Sequence, residues 1–261
     1  MLDNADAKAD LDWFKIKFLK HASANKLRTY KLKGKQLYYT KPAELLHGLR
    51  EIFVDEIYDV TLPSQPYILD CGANIGLSVI YLKQRYPNAE IVAFEPDEEN
   101  FDLLSKNLAS FSFDRVTLKK EAVWIEDTAI QFKSDGTMGS KIAAGSLGDT
   151  KSVQATRLNN YLKRKVDFLK IDIEGAEYQV LKDIESSLSN VAIMFLEYHG
   201  DFKNNNQLIE IFSILHKAGF VFYIKEAATV YEKPFSEMTS NPKRDYDVQL
   251  NIFCMRAQPS N

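Results

Sequence analysis

The stretch that decides the fold runs from Tyr67 to Phe101, YILDCGANIGLSVIYLKQRYPNAEIVAFEPDEENF. YILD reads as a buried strand, and LSVIYLKQRYP as a helix stopped by Pro87. EIVAFEP reads as a second strand, after which Asp97 is placed to cap a helix with Phe101, Leu104 and Leu108 on one face. Strand, helix and strand in this order are the signature of a parallel sheet with a crossover helix. Two acidic residues punctuate it. Asp70 ends the first strand, Glu95 ends the second, and Gly72 and Gly76 lie in the turn between the first strand and its helix.

Such a turn leaves unpaired backbone N–H groups at a helix N-terminus, at the carboxyl ends of the strands where ligands of open α/β sheets bind. Gly72 and Gly76 would let the backbone approach a ligand closely. Glu95, beside this turn, is placed to accept hydrogen bonds from both hydroxyls of a ribose, so a nucleoside is the expected ligand. A dinucleotide site favours G-x-G-x-x-G, whereas this turn reads Asp70-x-Gly72-x-Asn74-x-Gly76. A carboxylate at that point repels a pyrophosphate and suits an ammonium or sulfonium. S-adenosylmethionine combines a ribose, a positive centre and an amino-acid tail without phosphate. The plain alternative is that Asp70 caps the helix and the glycines form a tight turn.

The same rhythm continues along the chain. RVTLKKEAVW is expected as a third strand and VDFLKIDIEG as a fourth, followed by a helix carrying Tyr178, Leu181 and Ile184. VAIMFLEYH is a fifth strand, and QLIEIFSILHKAGF a helix closed by Gly219. VFYIKEAATVYE and DVQLNIFCMR complete the sheet as an antiparallel pair near one edge. The expectation is an α/β fold on a mostly parallel seven-stranded sheet, occupying residues 61–261. Residues 1–60 form an N-terminal extension: a basic helix, a hairpin TYKLKGKQLYYT turning at Gly34, and an amphipathic helix AELLHGLREIFVDEIYDV. Residues 133–152 are rich in Gly, Ser and Thr, and the loop Gly136–Ser152 is expected to act as a lid over an acceptor or to be disordered.

Composition bounds the remaining choices. The chain has 261 residues, 45% hydrophobic and 26% charged, with no run near the ~20 apolar residues of a membrane span. Asp3, Asp6, Asp10 and Asp12 do not suit a secretory leader, and Cys71 and Cys254 make no disulfide framework, so a cytoplasmic setting is expected. A net charge of −3 argues against an extended nucleic-acid footprint. The charge is uneven, however: nine Lys/Arg and no acid lie between Lys15 and Lys41. In LDWFKIKFLKHA, Leu11, Phe14 and Phe18 share a stripe with Lys15, Lys17 and Lys20 interleaved. This helix could make peripheral contact with an anionic membrane, but docking onto the protein's own surface is the preferred reading.

The segments ILDCGANIGLSVIYL, AFEPDEENFDLLSKNL, EAVW and FLKIDIEGAEYQVLKDI together resemble the FkbM family of S-adenosylmethionine-dependent methyltransferases, from about Glu51 to Phe220. KIDIEGAE is the most specific of these segments. The resemblance implies a class I methyltransferase fold, a Rossmann-like three-layer sandwich, and O-methylation of sugar or polyketide hydroxyls on a small-molecule or glycan acceptor. It also implies that Asp70, Gly72, Ala73, Asn74 and Gly76 line the cofactor turn, that Glu95 with Pro96 holds the ribose, and that Glu121 and Ala122 flank the adenine.

Methyl transfer is an in-line displacement, so catalysis is positioning plus removal of the acceptor's proton. Lys170, Asp172 and Glu174 alternate along the fourth strand, and Glu197 and His199 end the fifth, so each set should share a face. Asp172, Glu197 and His199 are the candidate catalytic residues, His199 as general base and Asp172 also beside the cofactor. Lys170, in a strand covered on both faces, needs a carboxylate partner: Asp172, Glu197 or Asp70. A purely structural ion-paired scaffold is the alternative for Lys170 and Glu174, and a loop-shaping hydrogen bond for His199. Asp172, Glu174, Glu197 and His199 could hold a divalent metal, but no paired-histidine spacing supports one and none is expected. Tyr38, Tyr39 and Tyr58 are candidates to stack on a sugar. The rival functions are an NAD-dependent oxidoreductase, opposed by Asp70 and the missing third glycine, a nucleic-acid methyltransferase resting on the basic run, and a catalytically silent nucleoside-binding protein.

Overall fold

A computed structural model describes residues 6–133, 150–240 and 245–257. Most of the proposed lid Gly136–Ser152, residues 136–149, lies outside them. Seven strands form the large sheet: β3 (Tyr67–Cys71), β4 (Glu90–Phe94), β5 (Val116–Lys119), β9 (Val166–Ile171), β10 (Val191–Gly200), β11 (Phe220–Glu226) and β12 (Val248–Arg256). Their order is β11-β12-β10-β9-β3-β4-β5. β3, β9 and β10 run parallel, while β12 pairs antiparallel with both β10 and β11, the expected antiparallel strand near an edge. Earlier in the chain, β1 (Arg28–Leu32) and β2 (Lys35–Tyr39) form the hairpin. β6 (Ala122–Trp124), β7 (Ala129–Lys133) and β8 (Thr150–Arg157) form a separate three-stranded sheet.

The chain divides into two compact units, Met1–Pro66 with Ala73–Lys120, and Tyr67–Gly72 with Glu121–Asn261. In the first unit the hairpin turns through Lys33 (φ 46°) and Gly34 (φ 82°), two left-handed residues that match the right-handed twist of a two-residue hairpin. Its helices are α1 (Trp13–His21), α2 (Pro42–Gly48), α3 (Leu77–Arg85) and α4 (Glu98–Phe111). α2 runs on into a π-helical turn, Leu49–Val54, which keeps Leu45, Leu46, Leu49, Ile52 and Phe53 on one buried face. α4 opens as its sequence suggests, with the Asp97 carboxylate accepting the Asn100 N–H at 3.0 Å. Asn107, fully buried on α4, fastens the hairpin. Its Oδ1 accepts the Tyr38 N–H (2.6 Å), and its Nδ2 donates to the carbonyls of Tyr38 (3.0 Å) and Ile75 (2.8 Å).

The third strand departs from its expected extent. β5 stops at Lys119, and β6 begins at Ala122 in the other sheet. Lys119, Lys120 and Glu121 are three consecutive charged residues at the end of an edge strand with no buried position; Lys120 leaves the strand and donates to Glu98 Oε1 at 2.7 Å. Strands β7 and β8 gave no alternating apolar signal strong enough to announce them.

In the second unit α5 (Glu177–Asp183) packs on α6 (Asn206–Lys217) and β10, α6 ends at Gly219 (φ 80°), and α7 (Pro234–Ser240) follows β11. Parallel pairing puts the carboxyl ends of β3, β9 and β10 at one edge of this unit.

Candidate active site

The turn after β3 is built on three left-handed residues, Gly72 (φ 89°), Asn74 (φ 47°) and Gly76 (φ 94°). Both glycines serve the chain itself. A Cβ on Gly72 would lie 1.8 Å from the Asp172 carbonyl oxygen, and one on Gly76 would lie 2.7 Å from Leu104 Cδ1. Their smallness therefore lets protein approach protein, in addition to the close ligand approach expected of them. Asp70 is likewise fully buried, so its carboxylate acts on the turn from behind. It faces Lys170, whose Nζ lies 3.3 Å from Asp70 Oδ1 and 3.2 Å from Asp172 Oδ2 and donates to the Gly72 carbonyl at 2.8 Å. Two of the three expected partners of Lys170 are present; the third, Glu197, belongs to a different group.

In the first unit Glu95 is buried, and one oxygen accepts the Asn74 N–H (2.8 Å) while the other accepts the Asp97 N–H (2.9 Å). A carboxylate has about four acceptor positions, so Glu95 can lock the turn and also receive hydroxyl donors. Ala73 is buried, its N–H donating to the Phe94 carbonyl at 2.9 Å; Asn74 is exposed and Pro96 half-buried. Glu121 is half-buried in the bend before β6, and Ala122 is buried on that strand.

The edge of the second unit carries a second cluster. β9 ends at Ile171, so Asp172 and Glu174 leave the strand, and Glu174 (φ 56°) breaks the alternation expected of it. The turn brings Glu174 toward β10 instead. His199 Nδ1 donates to Glu177 Oε1 at 3.0 Å, and Nε2 lies 3.5 Å from Glu197 Oε1 and 3.8 Å from Glu174 Oε2. Glu177 is buried at the start of α5 and also accepts the N–H groups of Ile173 (3.2 Å) and Gly175 (3.0 Å). The Tyr246 ring stands 4.7 Å from the imidazole, and its hydroxyl donates to the Glu174 carbonyl at 2.9 Å.

Charge follows from this geometry. Burial alone would lower the pKa of His199, but the Glu177 carboxylate, with help from Glu197 and Glu174, raises it well above the usual range. An imidazole held protonated at neutral pH donates protons and does not accept them. Burial pushes the Glu174 carboxyl up to about 7, with Asp172, Glu177 and Glu197 adding to the shift and the His199 charge opposing it. Burial and Glu174 also raise the Tyr246 phenol, which stays a neutral donor.

The structure therefore brings Asp172, Glu174, Glu197 and His199 together, as the sequence led us to expect. One ligand atom each from Asp172, Glu174 and His199 lie within 4.8 Å of one another, close enough to share a cation. Tyr39 and Tyr58 are buried, which removes them as sugar platforms, and Tyr38 is covered by Lys106, whose Nζ lies 3.9 Å from the ring centre. Two residues escaped the sequence reading. Glu177 carried a signal in its place at the head of a helix, three residues after Glu174; Tyr246, far away in the chain, carried none.

A mostly parallel sheet with an acid-bounded turn after one strand and a polar cluster at the carboxyl ends of two others is the architecture of the Rossmann-like class, and the family match makes the protein an S-adenosylmethionine-dependent methyltransferase. Residues 70–222 match the methyltransferase FkbM domain, and the chain belongs to that family. It is 29% identical over 208 residues to Methyltransferase 1 of Beauveria bassiana, covering 66% of this chain and 83% of that protein. It is 25% identical over 155 residues to the 2-O-methyltransferase NoeI of Sinorhizobium fredii, covering 51% of this chain and 63% of that one. A solved FkbM methyltransferase from Methylobacillus flagellatus shares the fold at a TM-score of 0.50 and 16% identity, over 75% of this chain and 45% of that one.

Removing the Glu95 carboxylate unlocks Asn74 and Asp97 and takes away the group expected to accept the ribose hydroxyls. Glu95→Ala should weaken binding of S-adenosylmethionine and S-adenosylhomocysteine on the order of 100-fold by calorimetry. Unchanged affinity would remove Glu95 from the cofactor site.

Proposed function

We propose that this methyltransferase transfers a methyl group to a hydroxyl of a carbohydrate, glycan or glycosylated metabolite. The observation that carries the reading is the cluster of Glu174, Glu177, Glu197 and His199. A hydroxyl is a weak nucleophile, and its proton is best taken by a group titrating near the working pH. Glu174 fits that requirement, and its side chain is 47% exposed, within reach of an acceptor. The basic role expected of His199 therefore passes to Glu174. His199 supplies a fixed positive charge, held by Glu177, that keeps Glu174 from being protonated at still higher pH. Asp172 and Glu197, both half-buried, are the acceptors that would orient the sugar's other hydroxyls.

S-adenosylmethionine supplies the electrophilic methyl group when bound. Gly72, Asn74, Glu95, Pro96, Glu121 and Asp172 are the accessible or carboxylate-bearing residues that would hold it, with Asp70, Ala73, Gly76 and Ala122 shaping the backbone behind them. NoeI, by its name a 2-O-methyltransferase, supports oxygen as the receiving atom. Acidic side chains crowding one edge favour a neutral polyol over an anionic acceptor.

The test is the pH dependence of kcat with a panel of glycosides. Glu174 must be ionised to accept a proton, so the wild-type rate should rise with pH through about 7 and then level. Glu174→Gln should lose roughly 100-fold or more. His199→Asn, by removing the charge that opposes protonation of Glu174, should move the rising limb to higher pH. A limb unmoved in His199→Asn would overturn the assignment. A metal-assisted route is the second reading, carried by the convergence of Asp172, Glu174 and His199; full activity after exhaustive chelation is expected, and a loss restored by Mg²⁺ would select that route.

A further inference from the structure

Of the stripe that its sequence offers to the protein, the N-terminal segment buries Leu11 alone. Asp12 caps α1, accepting the Lys15 N–H at 2.8 Å, and Leu11 and Leu19 fix the helix to its unit. Phe14 and Phe18, expected to dock inward, face outward at 76% and 53% exposure, and Trp13 joins them at 57%. Residues 13, 14, 17, 18 and 21 lie along one side of a 3.6-residue helix, so the outward face reads Trp, Phe, Lys, Phe, His. Leu27, just beyond the helix, is 53% exposed as well.

The cations around this face are as marked as its aromatics. Lys17 lies 5.0 Å from the Trp13 ring centre, and the Arg28 guanidinium lies 5.9 Å from that of Phe18. Lys20, Lys26, Lys31, Lys33 and Lys35 are exposed on the helix, the following bend and the hairpin. No acidic residue interrupts the run from Lys15 to Lys41. Among the described residues of its unit, none buries Trp13, Phe14 or Phe18.

We propose that α1 and the adjoining hairpin form a docking face for an anionic phospholipid surface. Aromatic side chains of this size sit at the headgroup level, where a ring's apolar body and a lysine's long stem are both accommodated. Each lysine near such a surface strengthens binding roughly fivefold. At nine residues the helix cannot cross a bilayer, and among the described residues no helix is long and apolar enough to do so; α1 lies along the surface. Single-stranded nucleic acid also uses cations and aromatics, but it binds in grooves, whereas these rings stand out from a convex helix. This face is independent of the acceptor reading, and it adds a place where the enzyme works: substrates carried on a lipid would be presented to it at the membrane.

Co-sedimentation of the full chain with vesicles tests the proposal. Binding is expected to phosphatidylcholine vesicles containing about a third phosphatidylserine, and not to phosphatidylcholine alone. The triple variant Trp13→Ser, Phe14→Ser, Phe18→Ser and the pair Lys17→Glu, Lys20→Glu should each reduce binding at least about tenfold. Because all five side chains are exposed, melting temperature and S-adenosylmethionine affinity should be those of wild type. The proposal fails if wild type ignores both vesicles, or if neither variant changes binding. It also fails if RNA alone is bound, or if the face mediates a dimer that the triple variant dissolves.

Discussion

Alanine at position 177 is expected to cost about 3–5 kcal/mol of folding stability. Glu177 is fully buried, and its two oxygens receive three donors: the His199 imidazolium and the N–H groups of Ile173 and Gly175. Alanine strands all three without water. Breaking a buried pair leaves an uncompensated charge, a far greater loss than that of an exposed ion pair, worth about 0–1 kcal/mol. The deficit depends on pH in a fixed direction. The folded protein raises the His199 pKa, so the pairing contributes fully below the unfolded value of about 6.5 and fades as pH rises through the folded value. Urea denaturation of wild type and Glu177→Ala at several pH values should show the gap narrowing upward. A difference under about 1 kcal/mol at pH 6 would show that the buried cluster carries no such charge. Glu177→Gln, which keeps an acceptor oxygen without the charge, should fall between the two proteins.

Gly72→Ala should be at least as damaging, for a reason of shape. The added methyl would need to sit 1.8 Å from the Asp172 carbonyl oxygen, a main-chain atom that cannot swing aside, at a backbone φ of 89°. Strain at that φ costs on the order of 1–3 kcal/mol, and separating the chain at Gly72 from that at Asp172 adds to it. A total above about 4 kcal/mol, or failure to accumulate as folded protein, is expected in thermal denaturation and yield. Gly34→Ala is the control: φ is similar at 82°, but nothing lies within 4 Å of the new Cβ. That change should cost only the left-handed strain itself, about 1–2 kcal/mol. Equal effects at the two positions would mean that the turn after β3 is not held against Asp172.

Much of this architecture is legible in local sequence. The order of strands and helices follows from hydrophobic runs and their punctuation, and the Asp97 cap and the turn at Gly34 follow from chemistry confined to a few neighbours. Lys170 announced its partners because a cation inside a strand must have them. What stayed hidden depends on residues far apart. Periodicity showed that Leu11, Phe14 and Phe18 share a helical stripe, but which side of α1 faces inward was decided by the burial of Leu19 and the packing of α1 on α2. The alternation of Lys170, Asp172 and Glu174 holds only while the chain remains extended, and the left-handed turn at Glu174 ends it. The charge on His199 is set by Glu177, 22 positions away, and the roof over Glu174 by Tyr246, 72 positions away.

Asn107 bears on how freely this N-terminus can change. Its amide grips the hairpin only through the main chain of Tyr38 and carries the same grip to the carbonyl of Ile75, inside the turn after β3. The bond is blind to side chains. The exposed residues of the hairpin can therefore diversify as the surroundings demand, provided that a strand still passes that point and Tyr30, Leu32, Leu37 and Tyr39 stay buried, while a version without the hairpin would leave a buried amide and part of the turn after β3 unbraced. The outer side of the segment is open to variation in sequence, and the segment is closed to deletion.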